Sequence, residues 1–216
     1  MHASSVRRAI GIVALVSGCT AIPAMASETD CEIRVFKAGT LNSESPSALQ
    51  SGIIAGFVEA KRLEQFPTAT VEAQLELALT PEAIVTQVES IDWKSLLKAR
   101  SVGVAFDNAV LAKKDIRDRL KSRKRNTDVQ SPCYLELYAS QQDFTGSFIK
   151  SHLYSHFTLI DFRSGRPSNT RAIVWSRSRS FPAKEEAELE LALDSMRQTF
   201  GENLRKFLGK KFKGVI

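Results

Sequence analysis

SFIKSHLYSHFTLIDFRSGRPSNTRAIVWSRSRSF, residues 147–181, is the stretch whose reading decides the fold. Residues 147–163 and about 170–181 are rich in β-branched and aromatic side chains, and SGRPSN between them supplies turn residues. Each run reads as a long strand. CYLELYASQQ (133–142) just upstream reads as another, joined to the next around Thr145–Gly146. Downstream, Phe181–Pro182 opens a helix whose Leu189, Ala192, Leu193, Met196, Phe200, Leu204 and Phe207 form a wide apolar stripe. Consecutive strands late in the chain predict an α+β layered sandwich, with a mixed, largely antiparallel sheet and amphipathic helices, over a doubly wound parallel sheet.

The upstream half alternates the two periodicities. CEIRVFKAG (31–39) reads as the first strand, closed by Gly39, and a helix follows from about Ser47 to Gln65, ended by Pro67. TVEAQLELAL (70–79) reads as a half-buried strand, because Val71, Ala73, Leu75, Leu77 and Leu79 alternate with Thr70, Glu72, Gln74 and Glu76. Thr80-Pro81-Glu82 starts a helix with a break at Asp92. SVGVAF (101–106) is a short strand, and a helix to about Arg125 ends in the basic run KSRKRN. The resulting order is β-α-β-α-β-α-β-β-β-α. No repeat or Gly/Ser linker divides it, so one domain is expected.

The amino terminus has the layout of an export signal: Arg7 and Arg8, the apolar run AIGIVALV, then small residues. Two endings overlap. Ala24-Met25-Ala26 suits cleavage after residue 26, which leaves a domain of 27–216. Val16-Ser17-Gly18-Cys19 resembles a bacterial lipobox, with a signal of 1–18 and a lipidated Cys19. Either ending predicts a periplasmic protein, soluble or lipid-anchored to the outer membrane. Removing Arg7 and Arg8 leaves 28 basic residues against 24 acidic, a net charge of +4, which makes no case for nucleic acid. Cys31 and Cys133 then remain in an oxidising compartment, and a single disulfide between them is expected.

The chemical motifs are sparse. HLYSH (152–156) spaces two histidines for a helical metal site, but on a strand that spacing spans about 13 Å, so no metal is expected. No nucleophile elbow, dinucleotide turn, P-loop or zincin motif occurs, and no cofactor is expected. Asp107 and Asn108 at the end of strand 101–106 read as helix caps. Asp161 with His156 is a candidate acid/base pair that lacks a nucleophile. No catalytic residue is assigned.

IVWSRSRS (173–180) puts Trp175, Arg177 and Arg179 on one face of a strand, with Arg171 beside them. Such a strip could meet an acidic envelope protein, an anionic lipid headgroup or a polysaccharide. The competing reading is a solvated face whose arginines pair with Glu72, Glu76 or Glu136.

LIDFRSG (159–165) followed by IVWS (173–176) resembles a strand-turn-strand of Gram-negative envelope lipoproteins, the curli-secretion-channel and penicillin-binding-protein-activator group, whose fold is like the amino-terminal domain of TolB. Leu159, Ile160, Asp161, Gly165, Val174, Trp175 and Ser176 carry the match, which covers the last third of the chain. The turn holds extra residues, Arg166 to Thr170. The resemblance implies binding and scaffolding without a catalytic residue to carry over. The sequence therefore reads as an exported, non-enzymatic accessory protein that binds another envelope component. The alternatives are a hydrolase using carboxylates near Asp107 or Asp161, and a carrier of a lipidic or polyanionic ligand.

Overall fold

The computed structural model describes residues 29–38, 41–44, 70–111, 113–122, 124–125, 129, 131–146, 151–164 and 166–213. The expected export signal, Cys19 and the expected helix at 47–65 lie outside them. The chain is an α+β protein built on one mixed sheet. Its strands are β1 (Asp30–Ala38), β2 (Leu41–Glu44), β3 (Ser101–Leu111), β4 (Cys133–Gly146), β5 (Ser151–Asp161) and β6 (Ser168–Ser178). Their order is β3-β1-β4-β5-β6, with β2 continuing along β4 beyond β1. The β1–β3, β1–β4 and β2–β4 pairs are parallel, while β4–β5 and β5–β6 are antiparallel. The sheet is thus split between the two patterns, because the crossovers of the first half run parallel and only the late meander is antiparallel.

The helices are α1 (Val71–Ala78), α2 (Pro81–Glu89), α3 (Trp93–Leu97), α4 (Lys113–Ser122) and α5 (Leu189–Lys211), with a 3-10 turn at Glu186–Glu188. Residues 71–78 are helix where alternation predicted a strand. Ala, Glu, Gln and Leu are strong helix formers, and Ala and Glu are depleted in strands. The Thr70 hydroxyl accepts the Ala73 N–H, and Gln74, Leu75 and Ala78 are buried at helical spacing, which leaves Leu77 exposed. The alternation was a coincidence of a Leu/Ala-rich helix. Thr80, with Pro81 behind it, caps α2 by accepting from Ala83 N, and Asp92 caps α3 through Ser95 N. β3 continues to Leu111, so Asp107 lies inside a strand opposite Phe36 and not at the end of one. The final helix starts at Leu189, later than Phe181–Pro182 suggested.

Helices cover one face of the sheet. There Ile33, Val35, Leu135, Leu137, Leu153 and Phe157 meet Leu75, Ile84, Val88, Met196, Phe200 and Phe207. The Phe157 ring lies 5.4 Å from Phe200 and 5.3 Å from Phe207. Gln74 fastens α1 to the segment before α5: its amide donates to Ala183 O at 3.2 Å and accepts from Ala183 N at 2.8 Å. Both partners are buried, so the side chain stands in for a missing backbone pairing. Cys31 and Cys133, partners in the β1–β4 register, are disulfide-bonded with Cα atoms 4.5 Å apart. Among the described residues no helix is long and apolar enough to cross a membrane.

A candidate binding face on β4, β5 and β6

The opposite face of the sheet changes character along its length. At one end Phe36, Val129, Tyr134, Tyr138, Ile160 and Phe162 form a second buried cluster. Glu136 sits in its middle at 0% exposure, accepting from Tyr134 Oη at 3.0 Å and Tyr138 Oη at 2.5 Å. Burial, with the Glu136 carboxylate beside it, pushes the Tyr134 phenol well above its ordinary range, so it stays a hydrogen-bond donor. Arg125 lies against this end. Its guanidinium donates to Ser131 O at 2.9 Å and Phe162 O at 3.1 Å, and lies about 6 Å from the Tyr134 and Phe162 rings. Arg125, in the basic run KSRKRN, is therefore built into the fold.

A β-bulge between Ala139 and Gln141 prepares the other end. One extra residue inverts the alternation, so Gln141, Asp143 and Thr145 join the face of Tyr138 while Gln142 and Phe144 turn inward. The register then sets three rows across β4, β5 and β6: Thr145–His152–Arg177, Asp143–Tyr154–Trp175 and Gln141–His156–Ile173. Arg171, opposite Thr158, extends the face along β6. Ile173 is 54% exposed and Trp175 53%, an unusual exposure for large apolar side chains at neighbouring positions of one strand face. Trp175 stands edge-on to His152, ring centroids 5.0 Å apart, and 6.3 Å from Tyr154.

The polar groups are ordered around these rings. Asp143 receives Gln141 Nε2 at 2.8 Å and lies 3.2 Å from His156 Nε2. His156 therefore does not pair with Asp161. The two are five residues apart on one strand and so on opposite faces. Asp161 is engaged by Arg163, with Nη2 at 2.8 Å, and more loosely by Lys211 at 4.0 Å. Burial alone would raise its carboxyl, but the Arg163 side chain and backbone N–H together outweigh that and hold it below the ordinary carboxylate range. From the far face, Lys206 of α5 reaches round the edge of β6. Its ammonium donates to Trp175 O at 3.0 Å and Ser176 Oγ at 2.7 Å, 5.9 Å from the Trp175 ring.

Of the residues singled out in the sequence, Arg171, Trp175 and Arg177 share this exposed face. Arg179 is exposed but lies past the end of β6, so the pleat no longer aims it. Of the partners expected for these arginines, Glu72 and Glu76 lie on α1 and not on a neighbouring strand, and Glu136 is buried against two tyrosines. Among the described residues neither Arg171 nor Arg179 forms an ion pair. Sequence reasoning missed Ile173, His152, Tyr154 and Lys206 as members of the face. The period-two spacing of His152, Tyr154 and His156 carried that signal for β5, whereas Lys206 carried none.

Elsewhere, Asp30, Glu32, Gly103, Val104, Ala105 and Ser131 line a shallow groove of about 320 Å³ beside Cys31. Asp30 is held there by Arg100 and Ser101, so its carboxylate is already occupied. Among the described residues no three metal-ligating side chains gather.

No family model and no curated protein matches the chain. Solved structures with some likeness include the hypothetical protein CT253 from Chlamydia trachomatis, at 9% identity and a TM-score of 0.35, covering 86% of this chain and 98% of that one. Lipoprotein GNA1162 from Neisseria meningitidis aligns at 9% identity and a TM-score of 0.25, over 80% of this chain and 99% of that one. At these scores the likeness carries no argument about function.

Proposed function

We propose that this is an exported, non-enzymatic accessory protein of a Gram-negative envelope, and that it binds another envelope protein through the β4–β5–β6 face. One observation carries the binding reading: Ile173 and Trp175 stand exposed side by side, flanked by Arg171 and Arg177. Trp, Tyr and Arg are the residue types that dominate binding energy at protein interfaces, and an apolar centre with a polar rim is their usual arrangement. Of the carboxylates the hydrolase alternative would use, Asp161 is tied to Arg163, and Asp107 stands inside β3 opposite Phe36. Export rests on the leader ending at Ala26 or just before Cys19, and the likeness of 159–165 and 173–176 to envelope lipoproteins supports the same reading.

The test is a photocrosslinking amino acid at Ile173 in living cells, combined with fractionation. The reading predicts a discrete adduct with an envelope protein, lost in Trp175→Ala and in Arg177→Glu. A chain found in the cytosol with its leader intact, or an adduct indifferent to both substitutions, overturns it.

A further inference from the structure

Strands β1, β3 and β4 begin, and β5 turns into β6, at one end of the sheet. The register fixes this: Asp30 lies opposite Ser101, Cys31 opposite Cys133, Leu135 opposite Asp161, and Asp161 opposite Ser168. The helix α5 finishes at the same end, where Lys211 Nζ donates to Ser168 Oγ at 3.1 Å. The basic run KSRKRN is brought there by Arg125, which donates to Phe162 O and to Ser131 O, while Ser131 Oγ donates to Asp30 O at 3.1 Å. Basic residues of 124–125, 163–171 and 210–213, far apart in sequence, therefore converge on one pole. Asp30, Glu32 and Asp161, the carboxylates at these strand ends, are already matched: Asp30 by Arg100, Glu32 by Arg34, and Asp161 by both Arg163 and Lys211. Lys124, Arg166, Arg171, Lys210 and Lys213 are exposed, and among the described residues none of them forms an ion pair. The pole thus carries a surplus of positive charge that the mild charge of the whole chain conceals.

We propose that this pole rests on an anionic phospholipid surface and stands the protein end-on, leaving the Trp175 end of the β4–β5–β6 face open to its partner. Charge complementarity supplies the first reason, since clusters of lysine and arginine are drawn to anionic headgroups. The path of the chain supplies the second. Residues upstream of Thr29 enter β1 at this same pole, beside Ser131 and Arg125. Of the two leader endings, Cys19 lies ten residues before Thr29, so at full extension it stays within about 35 Å of the pole. An acyl anchor and a basic patch are the two signals that together hold a protein on a bilayer. The residue types supply the third. Three of the five exposed cations are lysines, compact point charges without a fixed fork, which suit mobile headgroups and are depleted at protein interfaces. Trp175 lies seven residues along β6 from Ser168, about 24 Å by the rise of a strand, so it stays clear of the surface.

The probes are vesicles of phosphatidylcholine with and without phosphatidylglycerol, and soluble polyphosphate. In co-sedimentation the full chain should bind the phosphatidylglycerol vesicles, ignore the neutral ones, and come off at high salt. Lys210→Glu with Lys213→Glu should weaken binding at least about 25-fold, since each cation near an anionic bilayer contributes about fivefold. Arg179→Glu, past the opposite end of β6, should change it less than about twofold, because charges more than about 10 Å from the surface are screened. A paramagnetic lipid headgroup reads the orientation in the unaltered protein. It should relax the amides of 166–171 and 210–213 and spare those of 141–145 and 175–178.

Equal binding to neutral vesicles overturns the proposal, and so does a loss in Arg179→Glu as large as in the double variant. Relaxation centred on 141–145 and 175–178 would put the wrong end against the bilayer. Tighter binding to polyphosphate than to the anionic vesicles at equal phosphate would assign the pole to a free polyanion instead. The proposal goes beyond the partner-binding reading and fails separately from it. An envelope protein crosslinked at Ile173 without vesicle binding sinks this inference alone, and vesicle binding without any cellular adduct sinks the functional reading alone.

Discussion

Cys31 and Cys133 stand opposite each other in the parallel β1–β4 pair and join residues 102 apart in sequence. The bond ties the start of the first strand to the start of the strand on which the antiparallel meander is built. It thereby fixes a long-range pairing that an unfolded chain would reach only by closing a large loop.

Replacing both cysteines by alanine is accordingly expected to cost about 2–5 kcal/mol of stability, because the denatured ensemble regains that loop freedom. Urea unfolding of the oxidised protein, the reduced protein and the double variant measures it. Equal midpoints for all three would show that the bond does not constrain the fold.

Asn203 presents a smaller but more localised test. Its amide lies wholly inside the protein and donates to Leu153 O and Ser155 Oγ, both at 2.9 Å, pinning α5 to β5. Asn203→Ala leaves that carbonyl and hydroxyl buried without their donor, at a cost of about 1–3 kcal/mol. Asn203→Leu should be no better, since its added apolar surface does not restore the donor. A thermal or urea midpoint within error of the unaltered protein would refute this.

Asp161 sets a pH dependence. Its carboxyl is held below the ordinary range in the folded protein, so its ionised form favours the folded state. The contribution is fully present above the unfolded-state value, near pH 4, and is lost as pH falls through the lower folded value. Asp161→Asn removes that dependence. The stability gap between the two proteins should therefore be constant from neutral pH down to about pH 5 and narrow below about pH 4. A gap that holds or widens on acidification would contradict the assignment.

Local pattern and composition determined a good part of this protein. The late run of strands, the α+β class, the capped helix at Thr80-Pro81 and the apolar stripe of α5 are all present in the fold. These features are legible because each depends on residues within a turn or two of one another. Where two local signals conflicted, at residues 70–79, the stronger one was misjudged: alternation suggested a strand, and helix propensity with a Thr70 cap prevailed.

Only tertiary structure decided what the exposed face contains. The bulge after Ala139 sets which residues of β4 share a side, the β4–β5–β6 register brings Asp143, Tyr154 and Trp175 into one row, and Lys206 reaches Trp175 from a helix on the other face. Each of these depends on pairing between segments distant in sequence, and a shift of one residue would turn every side chain of a strand to the opposite face. The sequence could name Arg171, Trp175 and Arg177, while their neighbours were assigned by strand register and helix packing.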